Sequence, residues 1–396
     1  MKKILLLALL LCLMAAGAEA GTVLGIERQG LYDGILAGKR VAVFTNQSGV
    51  DSSLNRSVDL LMEKYNVTEI LVPEHGLFGA VEAGKEFGSH EYRGIPVYSL
   101  YGDTRRPTAE MLEKVDIVCV DIQDVGIRHY TYFSSLAYIM EECAKAGRPV
   151  VVFDRPNPLG GAVQGPVLKP GQKSFIGLYE IPLRHGLTIG EFAMYINGTE
   201  NMGCSLQVIP MKGWRRSMYW KDTGLPWVMS SPLIPTARTT VMYGITGVSG
   251  DTNLSVGVGT AKPFFFAGAP FADAGAVKAA LDSLNLEGVS FRAAAFTPRY
   301  GAYSGELVQG VEIYVSKPKK VNLPELDYLI MHTFMKLYPE QFAFPERGYG
   351  AEGCKTDIAL GETSIRDGEE PAAAFARWQQ ECRDFSVKAE PYLLYK

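Results

Sequence analysis

The chain has 396 residues, 47% of them hydrophobic and 21% charged, with a formal net charge of −4. That length and apolar content allow about two globular domains with a sizeable core. The slightly acidic balance provides no electrostatic footprint for nucleic acid or an anionic membrane surface as partner.

Residues 1–20 stand apart. Lys2-Lys3 precedes an apolar run, Ile4 to Met14, and Ala18-Glu-Ala20 is a small-residue cleavage pattern before Gly21. This predicts a signal peptide and an exported, periplasmic protein. The run is too short to span a bilayer, so no stable membrane insertion is expected. Five cysteines follow it: Cys119, Cys143, Cys204, Cys354 and Cys382. Their spacing leaves a pairing of Cys354 with Cys382 open.

Strands are expected at Arg40–Phe44, Glu69–Val72, Ile95–Tyr98, Ile117–Val120 and Arg148–Phe153, each a short apolar run. Helical spacing separates them, as in Leu54-Val58-Leu61-Met62 and Tyr132–Ala146. Strand–helix alternation forces parallel strands with right-handed crossovers, so the strand ends share one sheet edge. Each strand runs into a polar cluster: Asn46 and Gln47; Glu74 and His75; Tyr101; Asp121, Gln123, Asp124, Arg128, His129, Tyr130 and Tyr132; Asp154, Arg155 and Asn157. The fourth cluster is the densest, and an open α/β sheet binds ligands at this edge.

Pro158 to Leu183 reads as a glycine- and proline-bearing loop, ending in Arg184-His185-Gly-Leu-Thr188. Thr188 and Glu191 form a capping-box pattern for a helix over 191–197. A strand over 206–211 completes a first domain, 21–235. Three of the four tryptophans, Trp214, Trp220 and Trp227, fall in 213–235. They read equally as a sugar-stacking wall or as a wedge between domains. Helices over 274–284, 323–338 and 372–385, with strands over 289–296 and 307–315, predict a smaller α+β domain, 236–396. The fold class is therefore α/β, with a mostly parallel sheet domain and a smaller α+β domain.

No GxGxxG or Walker A pattern follows the first strand, so no nucleotide cofactor is expected. No CxxC or HExxH occurs, and no metal is expected. What remains is a carboxylate-rich edge with cations and imidazoles. Paired carboxylates suit glycoside hydrolysis, one protonating the leaving oxygen and one supporting an oxocarbenium-like transition state; a substrate acetamido group replaces the second in some enzymes. Arginines suit a substrate with its own carboxylate. Each residue also has a structural reading: Glu191 as a cap, Asp154–Arg155 as an ion pair, His75 as a turn histidine.

Val72-Pro-Glu-His-Gly76, Tyr98-Ser-Leu-Tyr-Gly102, Asp121-Ile-Gln-Asp-Val-Gly126, Tyr130-Thr-Tyr132, Asp154-Arg-Pro-Asn-Pro158 and Arg184-His-Gly-Leu-Thr188 together resemble the exo-β-N-acetylmuramidases of glycoside hydrolase family 171, long filed as a domain of unknown function. The resemblance covers nearly the whole chain after residue 20. It implies a Rossmann-like catalytic domain over 21–235, a cleft to which the smaller domain contributes, no cofactor, and release of N-acetylmuramic acid from the non-reducing end of peptidoglycan fragments. It carries Glu74 and Glu191 over as catalytic candidates, with His75 tuning Glu74. Asn46, Tyr101, Asp121, Gln123, Asp124, Arg128, Tyr130, Tyr132, Arg155, Asn157, Arg184, His185 and Asn253 are the expected substrate-binding residues.

Two segments depart from the pattern. Ser231-Pro-Leu-Ile-Pro235 stands where the family reads Ser-Pro-Asn-Met-Pro. Gly250-Asp-Thr-Asn-Leu-Ser-Val256-Gly-Val258-Gly-Thr260 replaces a carboxylate and a guanidinium by valines. If that guanidinium meets the lactyl carboxylate, a contact worth roughly 1.5–3 kcal/mol is lost. Two alternatives therefore stand beside the glycosidase: a muropeptide-binding protein of the same fold, and a metal-dependent hydrolase.

Overall fold

The computed structural model describes residues 21–81, 90–102, 104–346 and 353–396. The expected signal peptide and half of the charged loop expected over 79–94, residues 82–89, lie outside the described residues.

The first part is built on a seven-stranded sheet: β1 Arg40–Thr45, β2 Asn66–Val72, β3 His90–Tyr92, β4 Ile95–Ser99, β5 Ile117–Asp121, β6 Val150–Phe153 and β9 Leu206–Ile209. Its order is β3-β4-β2-β1-β5-β6-β9. Only β3, a short edge strand absent from the sequence reading, runs antiparallel. Parallel strands covered on both faces need apolar residues on both. β1 shows this: Ala42 and Phe44 enter the core on one face, Val41 and Val43 the core on the other. Helix α1 (Asp33–Leu36) and α2 (Ser57–Lys64) lie on the second face, through Leu36, Val58 and Leu61. α4 (Tyr132–Ala146), which follows the short α3 (Ala109–Glu113), buries Phe133, Leu136, Ala137 and Met140 on the first. Truncating a fully buried leucine such as Leu136 costs about 2–5 kcal/mol. α4 ends where Gly147 takes φ 65° and its N–H reaches back to the Ala144 carbonyl, a left-handed cap that suits glycine.

The stretch 158–183, expected as a loop, carries a small hairpin, β7 (Gln164–Val167) with β8 (Pro182–Arg184). α5 (Ile189–Thr199) follows β8 and precedes β9.

The second part holds α6 (Ala237–Thr246), α7 (Ala274–Asp282), α8 (Leu323–Leu337), α9 (Lys355–Leu360) and α10 (Pro371–Ala389). Its antiparallel sheet, β10 (Phe266–Ala269), β11 (Val289–Phe296) and β12 (Val308–Val315), has the order β10-β12-β11. Phe291, Val311, Ile313 and Phe334 join the same continuous core as Phe44 and Leu136, so the two parts share one interior. The carboxyl-terminal residues return to the first part: Tyr395 donates to Asp154 (2.6 Å) and packs edge-on against Trp214.

All five described cysteines are free thiols. Cys382 donates to the Gly165 carbonyl at 3.2 Å, and Cys354 precedes α9 as its N-cap, so the open pairing is not formed.

Candidate active site

A cleft of about 530 Å³ opens beyond β2 and the turn before α4 and is closed by the second part. Its floor is Glu74, His75, His129, Tyr130, Thr131 and Tyr132; Tyr101, Arg105 and Phe175 stand on one wall. Asp251, Val256, Val258, Phe264 and Lys355 come from the second part.

Glu74 is aimed by a tight turn. After Pro73, His75 and Gly76 take φ 74° and 75°, and the Gly76 N–H returns to the Pro73 carbonyl at 3.2 Å. A left-handed conformation costs a non-glycine residue roughly 1 kcal/mol. His75 is held there by its ring: Nδ1 lies 2.7 Å from the Val81 carbonyl. A carbonyl only accepts, so Nδ1 carries the proton and Nε2 the lone pair. Glu74 itself is half-buried, with Thr131 Oγ1 3.5 Å from its Oε2.

The aromatic floor is rigid. The Tyr132 hydroxyl donates to the Ser230 carbonyl at 2.5 Å and accepts from Asn46 Nδ2 at 2.8 Å. Asn46 Oδ1 in turn accepts from Ser48 N and Oγ. Asn46 thus acts through Tyr132 and does not line the cleft. Tyr130 packs edge-on to Tyr132 at 4.6 Å. His129 stacks on Tyr243 at 4.7 Å, and neither of its nitrogens has a partner among the described residues. Burial, then the charge of Arg128, pushes its pKa down to about 3, so the ring is neutral. A Cβ on Gly247 would come within 2.7 Å of His129 Nε2, so glycine there makes room for the ring.

Of the expected site residues, Glu74, His75, Tyr101, Tyr130 and Tyr132 line this cleft. The rest lie outside it, bonded to one another or to backbone groups, although Gln123 Oε1 and Asp124 Oδ2 have no hydrogen-bond partner among the described residues. Asp121 is fully buried and takes Arg155 Nε and Nη2 at 2.5 and 2.7 Å, with Ser57 as a further donor. Gln123 donates to the Asp124 and Pro156 carbonyls, both at 2.8 Å. Asp124 accepts from Gly126 N at 2.7 Å, and burial pushes its carboxyl up to about 7. Asn157 bridges Leu187 and Leu159. The space enclosed by Gln123, Asp124, Arg155 and Asn157 has a volume of about 0 Å³, too small for a single water. This part of the sheet edge is interior, sealed by its own polar groups.

Arg128 turns both terminal nitrogens to backbone: they donate to the carbonyls of Pro166, Ile181, Ala359 and Leu360, tying α9 to the hairpin. Arg184 holds Gln164, Leu159 and Tyr219. His185 is fully buried, accepts from Leu187 N at 3.1 Å, and is pushed down to about 3 by burial. Asn253 pins the 341–343 segment by two backbone hydrogen bonds.

Glu191 is also outside the cleft. It is fully buried, closes the capping box of α5, and accepts from Thr188 N (3.0 Å), Arg216 Nη1 (2.8 and 2.9 Å) and Leu394 N (2.9 Å). The tryptophans form the wedge rather than the wall: Trp220 meets Trp227 edge-on at 4.9 Å and Trp214 meets Tyr395. From that segment only Ser231, Leu233 and Ile234 reach the cleft.

Arg105, Phe175, Asp251 and Lys355 were missed as site residues. Arg105 follows a strand end and was legible as a neighbour of Tyr101. Asp251 pairs with Lys355 at 2.8 Å across 104 positions, which leaves no local signal. No group of three or more metal-ligating side chains occurs among the described residues.

A half-buried carboxylate among aromatic rings, in a cleft closed by a second domain on a Rossmann-like sheet, defines a glycosidase-type hydrolase. The chain matches the models "Exo-beta-N-acetylmuramidase NamZ, N-terminal" over residues 41–238 and "Exo-beta-N-acetylmuramidase NamZ, C-terminal" over 241–395. It belongs to that family. It is 43% identical over 373 residues to the peptidoglycan β-N-acetylmuramidase NamZ of Bacillus subtilis strain 168, covering 92% of this chain and 89% of that protein. Two crystal structures of DUF1343-family proteins from Bacteroides fragilis are also similar. One has a TM-score of 0.86 at 36% identity, the other 0.76 at 30%, and both comparisons cover 95% of this chain and 99% of the other.

Proposed function

We propose that the chain is an exo-acting β-N-acetylmuramidase that releases N-acetylmuramic acid from the non-reducing end of peptidoglycan fragments. Glu74 carries the reading: it is a carboxylate held in the cleft by a strained turn, among rings suited to sugar faces. Family membership along 41–395 supports the substrate class. The pattern at residues 2–20 supports export to the periplasm.

In this mechanism Glu74 donates its proton to the glycosidic oxygen as the bond to the anomeric carbon lengthens. The tyrosine floor excludes water and packs the ring. Neutral His129 offers one donor and one acceptor to the sugar's hydroxyl or acetamido groups. With Glu191 outside the cleft, the described carboxylates on its lining are Glu74 and Asp251. Asp251, ion-paired to Lys355, or the substrate's own acetamido oxygen supports the oxocarbenium-like carbon.

The test is hydrolysis of a nitrophenyl N-acetyl-β-muramide beside its glucosaminide. Turnover of the muramide supports the reading; turnover of neither by folded protein overturns it. The valines motivate a second reading, since Val256 and Val258 do line the cleft and bring no charge to it. A protein that binds N-acetylmuramic acid without any turnover would favour a binding role.

A further inference from the structure

We propose that Arg105 is the specificity residue that reads the lactyl carboxylate of the sugar at the non-reducing end. The inference rests on the muramidase reading above and names the group by which a muramic sugar is told from a glucosamine. The two differ at this pH by one negative charge, so a cation must meet it.

The cleft supplies few. Arg128, Arg155 and Arg184 are buried away from the cleft lining, with most of their donors on carbonyls, Asp121 and Gln164. Lys355 is paired with Asp251. Arg105 differs from all of these. Its side chain is exposed on the cleft wall, with no ion pair or hydrogen bond of its guanidinium among the described residues. The carbon of that guanidinium sits 4.2 Å above the Phe175 ring and 5.6 Å from that of Tyr101.

The neighbouring residue shows what a structural arginine looks like here. Arg106 bonds Glu141 and Glu142 at 2.6 and 2.9 Å and lies over Tyr138. It anchors the segment, as does the hydrogen bond from Arg106 N to Thr104 Oγ1. Arg105 is thereby presented to the cleft by a fixed backbone. Its aromatic support is also fixed: Phe175 is buried and packs against Tyr138 and Tyr101.

A guanidinium resting on an aromatic ring keeps its in-plane N–H fork for an acceptor at its edge. Such a fork matches the two oxygens of a carboxylate. The side chain is already ordered by the ring, so little freedom is lost on binding. A lactyl group amidated by a stem peptide has no such charge. The geometry therefore favours peptide-free muramic sugars.

The experiment compares wild type with Arg105→Met and Arg105→Lys on the nitrophenyl muramide and glucosaminide. It also measures binding of free N-acetylmuramic acid, its neutral methylamide and N-acetylglucosamine by calorimetry. Arg105→Met is expected to raise KM for the muramide by about 10- to 100-fold with kcat nearly unchanged. KM for the glucosaminide stays put, and Arg105→Lys recovers part of the loss. Wild type should bind the free acid about tenfold or more above the methylamide, and Arg105→Met should erase that gap. Equal losses on both substrates, or wild-type binding that does not distinguish acid from methylamide, overturns the proposal while leaving the glycosidase reading intact. Charge-selective, Arg105-dependent binding without turnover sinks the glycosidase reading and leaves the carboxylate anchor standing. Neither binding nor turnover overturns both.

Discussion

Replacing Glu191 by Gln separates a structural carboxylate from a catalytic one. Oε1 accepts from Arg216 and Leu394 N, and Oε2 from Arg216 and Thr188 N, at 2.8–3.0 Å. An amide retains one acceptor and turns an NH2 toward N–H donors at the other position. Two charge-assisted contacts weaken and a backbone N–H loses its partner. Arg216, itself largely buried, keeps the amide oxygen and the Gly186 carbonyl but loses its counter-charge. Removing one partner of a buried ion pair costs about 3–5 kcal/mol. For a chain of this length that lowers the melting temperature by roughly 4–6 °C. Thermal unfolding and turnover per folded molecule are measured on the same sample. The expected result is a lowered melting temperature with kcat within about twofold of wild type. An unchanged melting temperature with collapsed turnover would refute the placement and return Glu191 to the chemistry.

Arg128→Met strips the donor from four carbonyls; at about 1 kcal/mol or more each, the urea midpoint should fall steeply while KM of the folded fraction holds. Glu69 is buried with both oxygens unpartnered among the described residues, and burial raises its carboxyl to about 7 from 4.5. A raised pKa means its share of stability is full below 4.5 and is lost as pH rises through about 7, when the unfolded chain sheds a proton the folded one keeps. Glu69→Gln should flatten that decline, by up to about 3 kcal/mol between pH 4.5 and pH 8, read from melting curves at each pH. Equal slopes in both proteins would refute it. Turnover should be unchanged by a strong chelator, and a rate that collapses and returns with added metal would revive the metal-dependent reading.

How legible the molecule was follows from what each residue needs. Parallel strands buried on both faces must be apolar throughout, so Ile117–Val120 and Val150–Phe153 announced themselves, while β3, three exposed or half-buried residues, did not. The hairpin inside 158–183 was hidden because its partners, α8 and α10, come from the far end of the chain. Gly165 alone hinted at it: a Cβ there would press on Pro324 at 2.7 Å. At the sheet edge, polar density misled. Asp121 and Arg155 lie 34 positions apart and consume each other, and Glu191 meets Leu394 across 203 positions. A sequence shows which groups are polar but not which have already found partners. Glu74 stood out for a different reason: Pro-Glu-His-Gly directly after a buried strand demands a tight turn, and a tight turn aims a side chain.

The most direct measurement is single-turnover hydrolysis of the muramide by Glu74→Gln, with calorimetric binding of N-acetylmuramic acid alongside. Loss of the general acid should lower kcat by about 100- to 10,000-fold while product affinity stays within about threefold of wild type. Turnover that survives the substitution at near wild-type rate would contradict the account, since no other described carboxylate stands on the cleft floor.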